Sequence, residues 1–396
     1  MDRPAPFRPL CAIARLGLGA AIVALSGCTL LIQDPHTVYV RKAGDAHFDL
    51  SKEMLTEQKF RDSAAEHWEL AVMSENAYHA SDSFPLGAKQ VERLAHCTSL
   101  GDDDKKTIGA RTGSRTSTEF TDAQQRNLLE ANGWVEWDSY DSAITAQTWC
   151  LAVEEAVAFR LYTKQTGDKV TVAISFRGTV GEYWPNWIAS ARWFIQWPRS
   201  RQDGNMVVQH AIADDLAKAI VSRYPDAART PGALEIVTTG HSLGGAFAQQ
   251  LAYAFPPVDY SFMQFPSLKI SKVVVFNPSP VNGWYWVGKE LRERNGGDLP
   301  VARVYQHGEI LAYPRLLLGY LYPLSNGDVR DGKPTAPRIS EIRYNAADAR
   351  VENPSVLQQA KRTFGAPGGN HAMRSLAAFL ATSAGHAPLN FPDADD

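Results

Sequence analysis

The arrangement of apolar and polar positions divides the chain into a helical opening, an alternating middle and a short helical end. Between Glu53 and Tyr78, Ala64, Ala65, Trp68, Leu70, Ala71 and Met73 recur at helical spacing, which predicts one amphipathic helix. Thr121–Asn132 predicts a second, with Thr121 as N-cap and Gly133 as its stop. The period then changes. Leu151–Tyr162 and Lys169–Phe176 read as strands joined at Gln165-Thr166-Gly167-Asp168. Val207–Tyr224 carries Ile212, Leu216 and Ile220 on one helical face. Leu234–Thr239, Lys272–Phe276 and Val301–Tyr305 are apolar strands, with a helix predicted over Leu243–Phe255 and another over Met373–Leu380. Near-continuous Val/Ile runs alternating with helices predict an α/β fold. Its central sheet is mostly parallel and is covered by helices on both faces.

Composition adds exclusions. The chain has 396 residues, 44% hydrophobic and 21% charged, which rules out a disordered or collagen-like protein. A net charge of −3 gives no electrostatic footprint for nucleic acid. Four cysteines are too few for a disulfide scaffold, and neither an HExxH motif nor a Cys/His cluster is present, so no metal or cofactor is expected. The acidic loop Asp102-Asp103-Asp104 is followed by Lys105 and Lys106 and reads as a solvated segment. Gly101 to Thr118 belongs to the same polar loop, and no linker or repeat divides the rest.

The first residues read as a targeting segment. Arg3, Arg8 and Arg15 precede the ten-residue apolar run Leu16–Leu25, too short to span a bilayer as a helix. The run ends Leu25-Ser26-Gly27-Cys28, which resembles a bacterial lipobox. That resemblance implies cleavage before Cys28, lipidation of Cys28 and a membrane anchor in the bacterial cell envelope. Several acyl chains on one Cys anchor firmly where one does not. Residue 29 is Thr, which by the same resemblance favours the outer membrane. The expected organisation is a signal peptide over 1–27, a tether and N-terminal element over 28–60, the main domain over 61–385 and an acidic tail over 386–396. Cys97 and Cys150 are then the remaining thiols, and an oxidising compartment permits their pairing.

The chemistry gathers around Gly240-His241-Ser242-Leu243-Gly244-Gly245-Ala246, between a predicted strand and a predicted helix. This is the G-x-S-x-G pattern in the setting a serine nucleophile needs, a sharp turn that lifts the hydroxyl out of the sheet. The segment resembles the nucleophile motif of class 3, fungal-type lipases of the α/β-hydrolase fold. Ser175-Phe176-Arg177-Gly178-Thr179 is similar to that family's oxyanion strand, and Val274-Val275-Phe276-Asn277-Pro278-Ser279-Pro280 to its next strand and loop. The resemblance covers roughly residues 71–380 and leaves out the insertion around Leu316–Ala336.

A Ser–acid–His chain order then selects partners. Beyond Ser242 stand His307, His371 and His386. His371 lies in a Gly-rich loop before the last helix, where the family places its catalytic base. His386 reads as a solvated residue of the tail, and His241 as structural. Glu309, after strand Val301–Tyr305, takes the place where the family usually carries Asp. Asp298, Asp328 and Asp331 are the alternatives. The oxyanion hole falls to the backbone N–H groups of Thr179 and Leu243, and Arg177 reads as a structural tie of its strand. Trp184, Trp187, Trp193 and Trp197 crowd the family's lid position and predict contact with lipid or substrate. The resulting expectation is a serine hydrolase for triacylglycerol or phospholipid esters, working through Ser242, His371 and Glu309. Two other readings stay open, an esterase or thioesterase for non-lipid substrates and an inactive envelope lipoprotein.

Overall fold

The computed structural model describes residues 38–41, 57–79, 97, 119–137, 143–155, 157–178, 204–257, 264–279, 282–306, 329–330, 332–344 and 373–387. Strand β1 (Val38–Arg41) comes first, then helix α1 (Glu57–Asn76) with a 3-10 turn over Ala77–His79. Helix α2 (Glu119–Ala131) leads into β2 (Trp134–Glu136), and α3 (Ala146–Glu154) into the hairpin β3 (Phe159–Thr166) and β4 (Lys169–Phe176). Helices α4 (Gly204–Arg223) and α5 (Pro225–Arg229) precede β5 (Leu234–His241) and α6 (Leu243–Ala254). Strand β6 (Ile270–Phe276), α7 (Lys289–Gly296) and β7 (Pro300–Gln306) follow. A small hairpin, β8 (Val329–Arg330) and β9 (Lys333–Pro334), stands before β10 (Arg338–Tyr344), and α8 (Met373–Ser383) ends the series.

Eight of the described strands form one sheet in the order β1-β10-β7-β6-β5-β4-β3-β2. The run from β10 through β7, β6 and β5 to β4 is parallel, and the pairs at the two ends are antiparallel. The fold is therefore α/β with a mostly parallel sheet. Its central strands, β4 to β7, are mostly buried, and their side chains alternate between two cores. Val172, Ile174, Ile236, Val273, Val275 and Ile339 pack with α3, α4 and α6 on one face. Ala173, Val237, Val274, Phe276, Val304 and Ile342 pack with α1 and α8 on the other.

Several expectations shift by a few residues, and some change type. The apolar run Leu151–Tyr162 is not one strand. Its first residues complete α3, whose N-terminus is capped by Thr145, and β3 starts only at Phe159. An apolar stretch of this kind carries no period that separates helix from strand, and the cap decides. Helix α2 starts at Glu119, so Thr121 lies inside it and is not the N-cap. Gly133 does follow its end, with φ +83°, the left-handed stop a glycine accepts freely. Strands β1, β2 and β10 were not anticipated. Strand β1 falls in the stretch expected to hold a tether and an N-terminal element, and it pairs with β10 at the edge of the main sheet. His386 packs on Trp68, ring centroids 4.0 Å apart, rather than standing in solvent. A disulfide joins Cys97 to Cys150, with Cα atoms 5.5 Å apart.

Candidate active site

The candidate nucleophile stands where β5 ends and α6 begins. Ser242 has φ 55° and ψ −121°. A non-glycine residue there is strained, typically at a cost of about 1–3 kcal/mol, and persists only when its surroundings hold it. The holding bonds are visible. The Ser242 N–H donates to the Phe276 carbonyl at 3.0 Å, and the Ser242 carbonyl accepts from the N–H groups of Gly245 and Ser279 at 3.1 and 3.0 Å. The turn is thus pinned to the end of β6 and to the first turn of its own helix.

The flanking glycines are a packing requirement. A Cβ on Gly240 would lie 2.5 Å from the Gly244 carbonyl oxygen. One on Gly244 would overlap the Phe176 carbonyl oxygen and lie 2.7 Å from the Arg177 carbonyl carbon. One on Gly245 would come within 2.9 Å of Pro278 Cβ. Backbone cannot yield at the first two positions, so the elbow and the end of β4 form a single packed unit. Burial sharpens the picture. From Ile236 to Pro256 every residue is buried except Ser242, which is half-buried.

The neighbouring strand ends face the same edge. Asn277, with φ 40°, donates its N–H to the Val304 carbonyl, and its side-chain oxygen accepts from the Gln306 N–H at 2.9 Å. The exit of β7 is therefore tied beside the exit of β6. Glu309 follows three residues later and lies outside the described residues, as do His307, Asp328 and Asp331. Asp298 is described and is no candidate for the acid. It stands before the start of β7, roughly 20 Å of strand away from the elbow edge, and is exposed in an ion pair with Arg338 at 2.7 Å.

The last turn of α1 lies on the elbow end of β5. Ser74 Oγ is 2.9 Å from Thr239 Oγ1, and Tyr78 Oη is 2.6 Å from His241 Nδ1. Arg374, near the start of α8, pairs with Glu75 at 3.6 Å. Helix α8 therefore begins at the elbow edge of the sheet. His371 precedes α8 by two residues and lies outside the described residues. So do Thr179, Trp184, Trp187, Trp193, Trp197 and Cys28. Leu243 is described. It is the first residue of α6, where helix N–H groups have no intrahelical acceptor, and its side chain is buried.

No protein-family model matches the chain, and no curated protein does. His241 is buried and bonded to Tyr78, a structural role. Tyr78 is a residue the sequence reading passed over, since a Tyr ending a helix carries no motif. Among the described residues no group of three or more His, Cys, Asp or Glu could hold a metal, and no helix is long and apolar enough to cross a membrane. Among the described residues, hollows of about 410 and 310 Å³ lie away from the elbow. The larger is lined by Asp168, Arg223, Tyr224 and Ala233 at the opposite sheet edge, the other by Thr145 and Asp215 beside α3.

Proposed function

We propose that this protein is a serine hydrolase of the α/β-hydrolase fold that cleaves carboxylic esters of lipids, triacylglycerol or phospholipid. The observation that carries the reading is Ser242. It is the sole incompletely buried residue from Ile236 to Pro256, on a strained strand-to-helix turn whose glycines leave no room for a Cβ. A turn of that kind costs stability, and presenting a hydroxyl for attack is what the cost supports.

In this reading Ser242 attacks the ester carbonyl, and His371 takes the hydroxyl proton and returns it to the leaving alcohol. Glu309 orients His371 and stabilises its imidazolium. Water then attacks the acyl-enzyme with the same base, releasing the fatty acid. Backbone N–H groups of Leu243 and Thr179 receive the negative charge that develops on the carbonyl oxygen. Leu243 suits that role because it opens α6. The start of α8 beside the last turn of α1, and the exits of β6 and β7 beside the elbow, support bringing His371 and Glu309 to Ser242. No metal or cofactor enters the reaction. Lipid substrate follows from the resemblance to class 3 lipases and from Trp184, Trp187, Trp193 and Trp197 as a lid or acyl-binding wall. Acylation of Cys28 would anchor the enzyme in the bacterial cell envelope, at the outer membrane.

A fluorophosphonate probe is expected to label the wild type stoichiometrically, and Ser242→Ala to abolish labelling and ester hydrolysis together. Labelling that survives the substitution overturns the assignment. A chain-length series of esters, supplied as monomers and as aggregates, checks the lipid preference. Equal activity on short soluble esters would favour a general esterase.

A further inference from the structure

Tyr78 sits at the junction between the elbow and the end of β4, and belongs to neither. It is the middle residue of the 3-10 turn that closes α1. Its hydroxyl is 2.6 Å from His241 Nδ1, and the same oxygen is hydrogen-bonded to the Gly178 backbone. A phenol has one proton to donate and lone pairs to accept. Accepting the Gly178 N–H and donating to His241 Nδ1 uses both capacities at once. A Cβ on Gly178 would overlap this hydroxyl and lie 2.5 Å from the His241 carbonyl oxygen. Gly178 is therefore glycine so that Tyr78 and the residue before the nucleophile can both approach it. The bond is part-buried. Burial raises the Tyr78 hydroxyl far above the ordinary tyrosine range, so it stays protonated and keeps donating.

We infer that Tyr78 is a positioning residue of the ester-cleaving site, clasping the end of β4 at Gly178 to the elbow at His241 and so setting the peptide that leads into Thr179. The inference rests on the reading of Ser242 as nucleophile and Thr179 as oxyanion donor. Two chain segments far apart in sequence must be held in register for the hole to receive the oxyanion. The β4–β5 ladder, which runs as far as Phe176 and Gly240, and the packing of Gly244 on Phe176 and Arg177 tie them, and the Tyr78 hydroxyl adds a side-chain tie beyond the end of that ladder. Removing that hydroxyl leaves the ring and its packing but frees the Gly178 peptide.

The test compares the full-length wild type with Tyr78→Phe, each active site counted by complete fluorophosphonate titration. Expected for Tyr78→Phe is a ten- to hundredfold fall in kcat per titrated site on an aggregated ester substrate, KM within about twofold, and slower phosphonylation. The phosphoryl oxygen occupies the same hole, so both rates should fall together. A merely structural role would lower the titratable fraction and leave kcat per site unchanged, and that result overturns the inference. His241→Leu should reproduce the selective loss, while His241→Gln, which keeps an acceptor, should retain most of kcat. If Tyr78→Phe does not fold, the His241 pair carries the test, and equal kcat per site in Leu and Gln overturns it. Ser242→Ala is run alongside. Labelling that survives Ser242→Ala sinks the nucleophile reading itself, whereas a silent Ser242→Ala beside an unimpaired Tyr78→Phe sinks only the clasp.

Discussion

His67 shows how a single buried residue ties this fold to pH. It lies on α1 against the sheet, and its Nδ1–H donates to the Ser63 carbonyl at 2.6 Å while Nε2 has no hydrogen-bond partner among the described residues. The groups facing it are Glu66 on its own helix, Lys272 on β6 and the Tyr344 hydroxyl on β10 at 3.4 Å. Desolvation pulls His67 down to about 4, Lys272 adds to the fall, and Glu66 and the Ser63 bond oppose it. The sign follows. The unfolded chain binds the proton first as pH drops through the ordinary histidine value near 6.5, so stability is full above that value. It is then lost progressively down to about pH 4, where the loss levels off. The shift corresponds to about 3 kcal/mol. Urea unfolding of the wild type against His67→Gln between pH 7.5 and 4.5 checks this. The wild-type curve should fall more steeply, and parallel curves refute the assignment. None of this was legible in the sequence, where a lone His on an apolar helix face carries no sign of its neighbours. Ser242 is the opposite case. Its two flanking glycines announce the crowding before any coordinate does, because only glycine fits where backbone meets backbone.

Among the elements, α8 carries a disproportionate share of the second core. Met373, Leu376, Ala377, Leu380 and Ala381 are buried against α1 and the outer strands. Leu380 is fully buried, so Leu380→Ala should cost about 2–5 kcal/mol through lost burial and the cavity left behind. The urea midpoint should fall accordingly, and a change below about 1 kcal/mol would show that α8 is not integral to the core. Elements with a strong periodic face were read from sequence to within a few residues, as α4 and β4 show. Strand β10 was missed because Arg338–Tyr344 mixes charged and apolar residues without a clean alternation. Its identity comes from pairing with β7 on one side and β1 on the other. Helix α3 was missed for a related reason. Its apolar run runs on toward the strand, and the break depends on Thr145, whose N–H and hydroxyl both donate to Asp215 on α4.

For the molecule as a whole, the disulfide Cys97–Cys150 is a long-range covalent constraint, closing a separation of 53 residues onto α3. In the chain-entropy account a loop of that size stabilises the native state by about 4 kcal/mol. Reduction, or Cys97→Ser with Cys150→Ser, should lower unfolding stability by that order, measured by urea denaturation with and without reductant. No change on reduction would show the bridge to be dispensable. What the sequence determined by itself was local. It set the apolar periods, the parallel α/β class that those periods imply, and the G-x-S-x-G turn, because each depends on residues within a few positions of one another. What only the tertiary structure decided was which distant groups meet. Cys97 finds Cys150, β1 joins the sheet edge, Asp298 is carried to the edge opposite the elbow, and Tyr78 reaches His241 and Gly178. The reason is that a strand direction and a helix axis fix a side chain's neighbours only after the layers pack. Sequence spacing says nothing of a hydrogen bond across 163 residues.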